Sequence, residues 1–165
     1  MAYDLIHHLN YNVWANDRIA GVVQSIDEEL FRRQNKSSFP SIEKTMVHIW
    51  GAQHIWLRRM HGESLSVSPI ANGTWSKSEV LAGLNGTSLG LVAFVESKSP
   101  SFLATRYAYR NLKGDPFNDP YEDTLYHVVN HSTYHRGQII TMLREGDINT
   151  VPATDLIHYL RELKK

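Results

Sequence analysis

The sequence predicts an all-α fold, a four-helix bundle within a single domain that spans residues 1–165. Two observations predict it. Four segments carry apolar residues at the three- and four-residue steps of an amphipathic helix, and the turn signals between them leave room for only minor extended structure. A chain of 165 residues buries roughly two thirds of its unfolded surface when it folds, so it needs no disulfide for stability.

The first two predicted helices are bounded by recognisable start and stop signals. The first runs from Tyr3 to about Ser25, and residues 27–33 form a short extra turn. The second begins after Ser41, whose side-chain oxygen can cap the helix N-terminus. It ends near Gly62, because glycine readily adopts the left-handed conformation that closes a helix.

The third predicted helix opens at Ser76, which forms a capping-box spacing with Glu79, and ends at about Glu96. Three glycines interrupt it: Gly83, Gly86 and Gly90. Each weakens an exposed helix by about 1 kcal/mol relative to alanine. Either close packing against a neighbouring helix favours them, or this helix is irregular.

A minor extended ribbon from Phe102 to Asn111 precedes the fourth predicted helix, because aromatic and polar residues alternate there. The helix start is predicted with Asp119 as N-cap, Pro120 at the first helical position and Glu122 at the third. The helix runs to Gly146, and a short C-terminal helix follows.

Composition excludes several classes of function. The chain has 17 basic and 17 acidic residues and no cysteine. Zero net charge argues against a nucleic-acid or membrane partner, and the lack of cysteine excludes disulfides, thiolate metal sites and a cysteine nucleophile. The N-terminus lacks the pattern of a signal peptide, and the longest apolar stretch, Leu89–Val95, is too short to span a bilayer. We therefore expect a soluble cytoplasmic protein.

Histidine is the one residue type in excess, with nine in the chain. His127, His131 and His135 lie at four-residue steps and so share one face of the fourth predicted helix. Two neighbouring imidazoles on a helix can bind one metal ion. The outer two are about 12 Å apart along the axis, so one ion binds either the first pair or the second. No glutamate lies between the histidines, which argues against a zinc metalloprotease motif.

A further ligand is expected from the second predicted helix, which carries His48 and His54. They are six residues apart and therefore point to different faces. His48 lies on the more apolar face, whereas His54 lies beside Arg58 and His61 on the wetter face. This favours His48 as the residue that faces the pair.

The stretch LYHVVNHSTYHRGQI, residues 125–139, resembles the helix signature of the DinB family, a family of bacterial metal-binding four-helix bundles also described as DinB/YfiT-like. Residues 11–19 resemble its first helix, residues 39–56 its second and residues 154–160 its C-terminal segment. The resemblance covers nearly the whole chain in order. The family name refers to damage-inducible expression.

The resemblance implies a ligand triad of one histidine from the second helix and two from the fourth, which fall on His48, His131 and His135. His127 then becomes a neighbour that contacts a ligand or accepts a proton. Three imidazoles suit a divalent transition metal, with zinc or nickel favoured over iron or cobalt. The family also implies a homodimer.

Some relatives of this superfamily are S-transferases that use bacillithiol or mycothiol. The resemblance therefore implies a metal-dependent transferase that joins a low-molecular-weight thiol to a small-molecule electrophile, in stress or detoxification. The thiol would supply the nucleophile that a chain without cysteine lacks. Two alternatives remain: a metal-dependent hydrolase, in which the metal lowers the pKa of its water to about 7, and a non-catalytic metal-binding stress-response protein.

Overall fold

The computed structural model describes residues 4–164, and most of them are helical. The long helices are α1 (Leu5–Ser25), α3 (Ile42–Met60), α4 (Lys77–Glu96) and α6 (Tyr121–Glu145). The short elements are α2 (Glu28–Arg32), α5 (Pro100–Leu103), β1 (Arg106–Arg110), β2 (Pro116–Pro120) and α7 (Leu156–Glu162). The predicted all-α four-helix bundle is confirmed.

The four long helices form the sides of one bundle. Helices α1 and α3 each pack against both α4 and α6, so α1 lies diagonally opposite α3. One apolar cluster joins the start of α1 and of α6 to the end of α4, and a second joins the end of α1 and of α6 to the start of α3 and α4. Helices α1 and α6 therefore run in one direction and α3 and α4 in the other.

Side-chain caps begin three of the long helices. The predicted start at Tyr3 lies outside the described residues; within them α1 begins after Asp4, whose Oδ1 accepts the N–H of His7 at 3.1 Å. Ser41 caps α3 by accepting the N–H of Lys44 at 3.1 Å. The predicted capping box at the start of α4 is present in both directions. These boundaries follow from local chemistry that the sequence displays.

The predicted start of the fourth long helix is wrong by one residue. Pro120 is the N-cap of α6 and provides no side-chain cap, and Asp119 belongs to β2. Asp119 pairs with Tyr107 of β1, and its Oδ2 accepts the hydroxyl hydrogen of Tyr109 at 2.7 Å. Because Asp119 is paired within the sheet and its carboxylate accepts this hydrogen bond, it does not cap the N-terminus of α6.

The predicted ribbon also needs correction. Phe102 lies in α5, where Ser99 accepts its N–H at 3.1 Å and Pro100 takes the first helical position. The strand is limited to β1, which pairs antiparallel with β2. Strand β2 begins and ends with proline, which is uncommon within strands, so its sequence does not predict a strand. The segment is a strand because it pairs with β1.

Gly83 allows α4 to lie directly against Trp50 of α3. A Cβ atom added at Gly83 would lie 2.3 Å from the nearest atom of the Trp50 indole, whereas one added at Gly86 meets nothing within 4 Å. The indole N–H donates to Oγ1 of Thr87 at 3.1 Å, which fixes the ring in place. Close packing therefore explains Gly83, and only Gly83 and Gly90 among the three glycines contact a neighbouring helix.

Gly83→Ala is expected to destabilise the protein by about 1–3 kcal/mol, because the new methyl group overpacks a well-filled contact. Gly86→Ala is the matched control. It should stabilise the protein by about 0.4–1 kcal/mol through helix propensity and a less flexible unfolded chain. Urea unfolding of both variants measures the difference, and equal effects of the two substitutions would contradict this packing.

A layer of buried polar side chains separates the two apolar clusters and takes members from all four long helices: Asn12, Asn16, Gln53, Ser88, Ser132 and Arg136. Arg136 is 1% exposed, and its Nη1 donates to Oδ1 of Asn12 at 2.8 Å and of Asn16 at 2.9 Å. Gln53 accepts from Ser88 at 2.8 Å and donates to Ser132 at 3.1 Å. The layer ties the four helices together beside His131 and His135.

Within residues 4–164, α4 is the one helix long and apolar enough to cross a membrane by length and composition alone. Core helices of soluble proteins pass the same test. Helix α4 packs against α1 and α3 and contributes to both apolar clusters. Its apolar character therefore fits a soluble bundle.

Candidate metal centre

Three histidines from α3 and α6 meet at one side of the bundle. One ring nitrogen of each of His48, His131 and His135 lies within 4.8 Å of the others. The distances between ring centroids are 4.8 Å for His48–His131 and 4.5 Å for each of the other two pairs. The structure thus brings the three predicted ligands together, and the group could hold a metal ion.

The separation of the ring nitrogens fits a shared ion for one pair. Nε2 of His48 lies 3.0 Å from Nε2 of His131. With metal–nitrogen bonds of about 2.0–2.1 Å, two nitrogens on one ion at tetrahedral or octahedral angles lie about 2.9–3.4 Å apart. The widest separation in the group reaches no more than 4.8 Å. Neutral imidazole donors in this arrangement suit a divalent transition metal.

The environment keeps two of these imidazoles neutral. Burial, followed by the charge of His135, lowers the pKa of His48 from 6.5 to about 4. Burial, followed by the charges of His135, His48 and His127, lowers the pKa of His131 to about 4. At neutral pH both rings are therefore unprotonated, and a metal ion does not compete with a proton for their lone pairs.

Gln138 orients the third imidazole, a role that the sequence prediction missed. Nδ1 of His135 donates to Oε1 of Gln138 at 2.8 Å, and Nε2 of Gln138 donates to Oγ of Ser38 at 3.0 Å. Because Nδ1 carries the hydrogen, the Nε2 lone pair of His135 is free for a ligand bond. Gln138 lies three residues after His135, a spacing that places both on one helix face.

Gln138→Leu is expected to lower the affinity for Zn²⁺ by about 10–100-fold, because His135 loses the acceptor that fixes its ring and its tautomer. Gln138→Glu keeps an acceptor at the same position and should retain most of the affinity. Competition with a chromophoric zinc chelator measures both variants. Equal affinities of Gln138→Leu and the wild type would show that the contact does not position His135.

Aromatic side chains cover the triad from two directions. The ring of Phe39 stacks on His48 with centroids 3.9 Å apart and meets His135 at 5.5 Å. The ring of Tyr134 meets His135 edge-on at 5.0 Å, and 63% of that tyrosine is exposed. Phe39 lies in the segment between α2 and α3, so no helical periodicity marks it in the sequence. Aromatic rings thus pack against two of the three imidazoles, those of His48 and His135.

His127 is not part of the triad, but it lies one helical turn before His131 on the same face of α6. Its ring lies 5.8 Å from that of His131 and 5.6 Å from that of Trp56. A cavity of about 270 Å³ is lined by Trp56, Asp119, Asp123, Thr124 and His127. Asp123, His127 and His131 follow at four-residue steps on one helix face. Of the two carboxylates that line this cavity, that of Asp119 accepts the hydroxyl hydrogen of Tyr109, and Asp123 lies one helical turn before His127.

His54 lies apart from the centre, as its position in the sequence indicated. It is half-buried rather than fully solvated, and its Nδ1 is enclosed without a hydrogen-bond partner among residues 4–164. Burial, followed by the charge of Arg58, lowers the pKa of His54. The two histidines of α3 thus point to different surroundings, and His48 alone joins the pair from α6.

Comparison with known proteins places the chain among bundles of one family. A model of the DinB family matches residues 1–163. The chain is 29% identical to the Bacillus subtilis (strain 168) protein named Protein DinB over 157 residues, which cover 91% of this chain and 90% of that protein.

Its fold is also similar to the crystal structure of a DinB-like protein from Bacillus cereus ATCC 10987. The TM-score is 0.66 at 18% sequence identity, over 88% of this chain and 94% of that one. At this identity the match supports the fold alone.

Proposed function

Because this chain belongs to the DinB family, as the resemblance predicted, we propose that it is a divalent-metal-dependent S-transferase that joins a low-molecular-weight thiol to a small electrophile. The observation that carries the proposal is the His48–His131–His135 triad in a chain without cysteine. A site with three neutral protein donors leaves positions for exogenous ligands. The nucleophile would then come from the cosubstrate.

The reaction is a substitution at an electrophilic carbon. A divalent ion held by the three imidazoles would lower the pKa of the thiol cosubstrate, so that the thiol loses its proton at neutral pH. The thiol proton leaves first, the sulfur lone pair forms the carbon–sulfur bond, and the bond to the leaving group breaks with its electron pair. His127, beside Asp123 and next to His131, is the residue proposed to receive the proton.

The remaining residues of the site hold the reactants rather than react. Phe39 and Tyr134 cover the triad with apolar and aromatic surface. Gln138 keeps the tautomer of His135 fixed. Zinc or nickel is the proposed metal, with iron or cobalt as alternatives. A cytoplasmic location and a homodimer are part of the same proposal.

Thiol conjugation tests the proposal directly. Untagged protein loaded with Zn²⁺ or Ni²⁺ is incubated with bacillithiol, mycothiol or cysteine and with monochlorobimane, and the fluorescent conjugate is measured. We expect turnover above the uncatalysed rate that disappears in His131→Ala. Conjugation at the same rate with the metal removed would contradict a metal-dependent transferase.

Metal-dependent hydrolysis is the second candidate, and the position of Asp123 beside His127 favours it. A carboxylate and an imidazole in one cavity next to the triad would accept the proton of an activated water. Ester hydrolysis that persists without thiol and is lost in His127→Ala would favour this reading. Hydrolysis that requires thiol would favour the transferase.

A further inference from the structure

A groove runs along the outer face of α3, from the metal centre towards the C-terminal end of the helix. Its volume is about 220 Å³, below the range of about 300–1,000 Å³ that is usual for drug-sized ligands. The lining residues come from α3 and from the loops that cross it: Val47, His48, Gly51, Ala52, Ile55, Trp56, Arg59, Ser68, Ala71 and Leu112. An occupant of this groove is therefore small and has the triad residue His48 at one end.

Arg59 lies at the other end of the groove and lacks a polar partner. The residue is 6% exposed, yet no nitrogen of its guanidinium makes a hydrogen bond or ion pair with any residue in the range 4–164. Its Nε is enclosed without an acceptor. A buried charge without a polar partner is costly, so an acceptor bound in the groove would stabilise Arg59.

Two aromatic rings hold the guanidinium in place. The Cζ atom of Arg59 lies 4.5 Å from the ring centroid of Trp56 and 4.9 Å from that of Tyr109. Cation–π contacts of this kind fix the plane of the group but satisfy none of its N–H donors. Burial also lowers the pKa of Arg59, and the nearby tyrosines oppose that shift. The N–H donors of Nη1 and Nη2, which are not enclosed as Nε is, remain available to a ligand.

We propose that this groove binds the carboxylate end of one reactant, with Arg59 as the group that recognises it. Arg59 is the only charged residue that lines the groove, all of which lies in the described part of the chain. A single guanidinium matches a single carboxylate through two parallel hydrogen bonds, whereas a phosphate dianion would call for further cations. The other walls are mostly apolar, so the reactant combines a short apolar body with one terminal carboxylate.

The length of α3 sets the distance between the proposed carboxylate site at Arg59 and the triad residue His48. His48 and Arg59 are eleven residues apart on one helix, or about 16 Å between Cα atoms. The arginine side chain leans back over Trp56, three residues earlier, as helical side chains do. The distance from guanidinium to triad is then on the order of 10 Å, which an extended chain of a few methylene groups spans. This assignment of the reacting end rests on the proposed transferase function.

The test compares hexanoate with hexanamide, which have the same chain length but differ in charge. The full chain with its bound metal is titrated with each by calorimetry, and the tryptophan fluorescence is recorded because Trp56 lines the groove. We expect hexanoate to bind about 10–100-fold more tightly than hexanamide. This preference should disappear in Arg59→Gln and survive in part in Arg59→Lys.

Arg58→Gln is the matched control, since Arg58 is the adjacent arginine, is exposed and is paired with Glu63. It should keep the full preference for hexanoate. Equal binding of both probes by the wild type, or a preference that persists in Arg59→Gln, would overturn the proposal. So would an equal loss in Arg58→Gln, because only the general charge of the protein would then matter.

The carboxylate site and the transferase function can each be disproved without the other. Binding of hexanoate needs neither thiol nor turnover, so an absence of conjugation leaves the carboxylate site intact. A loss of the hexanoate preference in a protein that still conjugates thiols would overturn the carboxylate site alone. If Arg59 only supports the fold, Arg59→Gln lowers the unfolding temperature without changing the ratio of the two affinities.

Discussion

His131→Ala is expected to lower the affinity for Zn²⁺ by about three orders of magnitude, because the ion loses one of only three protein donors and each supplies a large share of the binding free energy. His131 is the proposed ligand whose Nε2 lies 3.0 Å from Nε2 of His48. Its removal therefore breaks the pair whose spacing already fits a shared ion. Competition with a zinc chelator of known affinity measures the change.

The control for this prediction lies one turn away on the same helix face. His127→Ala removes an imidazole whose ring is 5.8 Å from that of His131 but which stands outside the triad. It should leave the affinity for Zn²⁺ unchanged within a few-fold. A large loss in His127→Ala with little change in His135→Ala would assign the ion to the other pair, His127 and His131.

Asn16→Ala is expected to destabilise the protein by about 2–4 kcal/mol, the second large effect. Asn16 accepts a hydrogen bond from Nη1 of Arg136 at 2.9 Å and donates to Oγ of Ser88 at 3.1 Å. Its loss leaves a buried guanidinium with one acceptor fewer and no carboxylate partner. The melting temperature should fall by roughly 5–15 °C, which differential scanning calorimetry measures.

Asn130→Ala provides the matched substitution at an exposed position of α6. It should change the free energy of unfolding by no more than about 0.5 kcal/mol. If Asn16→Ala unfolds at the same temperature as Asn130→Ala, the polar layer does not hold the four helices together. A loss confined to Asn16→Ala supports the layer as an element that holds the four helices together.

The bundle was largely predictable because its signals are local. The capping box at Ser76, the cap at Ser41 and the four-residue steps of the histidines on α6 each depend on residues that are close in sequence. The spacing of the histidines left two possible pairs on α6, and the resemblance to DinB helices selected His131 and His135. The start of α6 was misplaced because a distant strand, not the neighbouring residues, determines where Asp119 points.

The parts of the site that were missed depend on tertiary contacts. Phe39 stacks on His48 from a segment without periodicity, and Arg59 lines the groove only because the loops after α3 pass over it. Gln138 was accessible in principle, since it lies three residues after His135 on the same face. Arg136 follows His135 directly in the sequence, but its partners, Asn12 and Asn16 of α1, are distant in the chain and only the structure shows them.

X-ray absorption at the zinc edge is the most direct test that His48, His131 and His135 form one metal centre open to a thiol. The sample is untagged protein with one equivalent of Zn²⁺, before and after addition of cysteine. We predict three imidazole ligands and a light fourth ligand, then one sulfur at about 2.3 Å after the thiol is added. Fewer than three imidazoles, or a coordination shell that thiol leaves unchanged, would contradict this account.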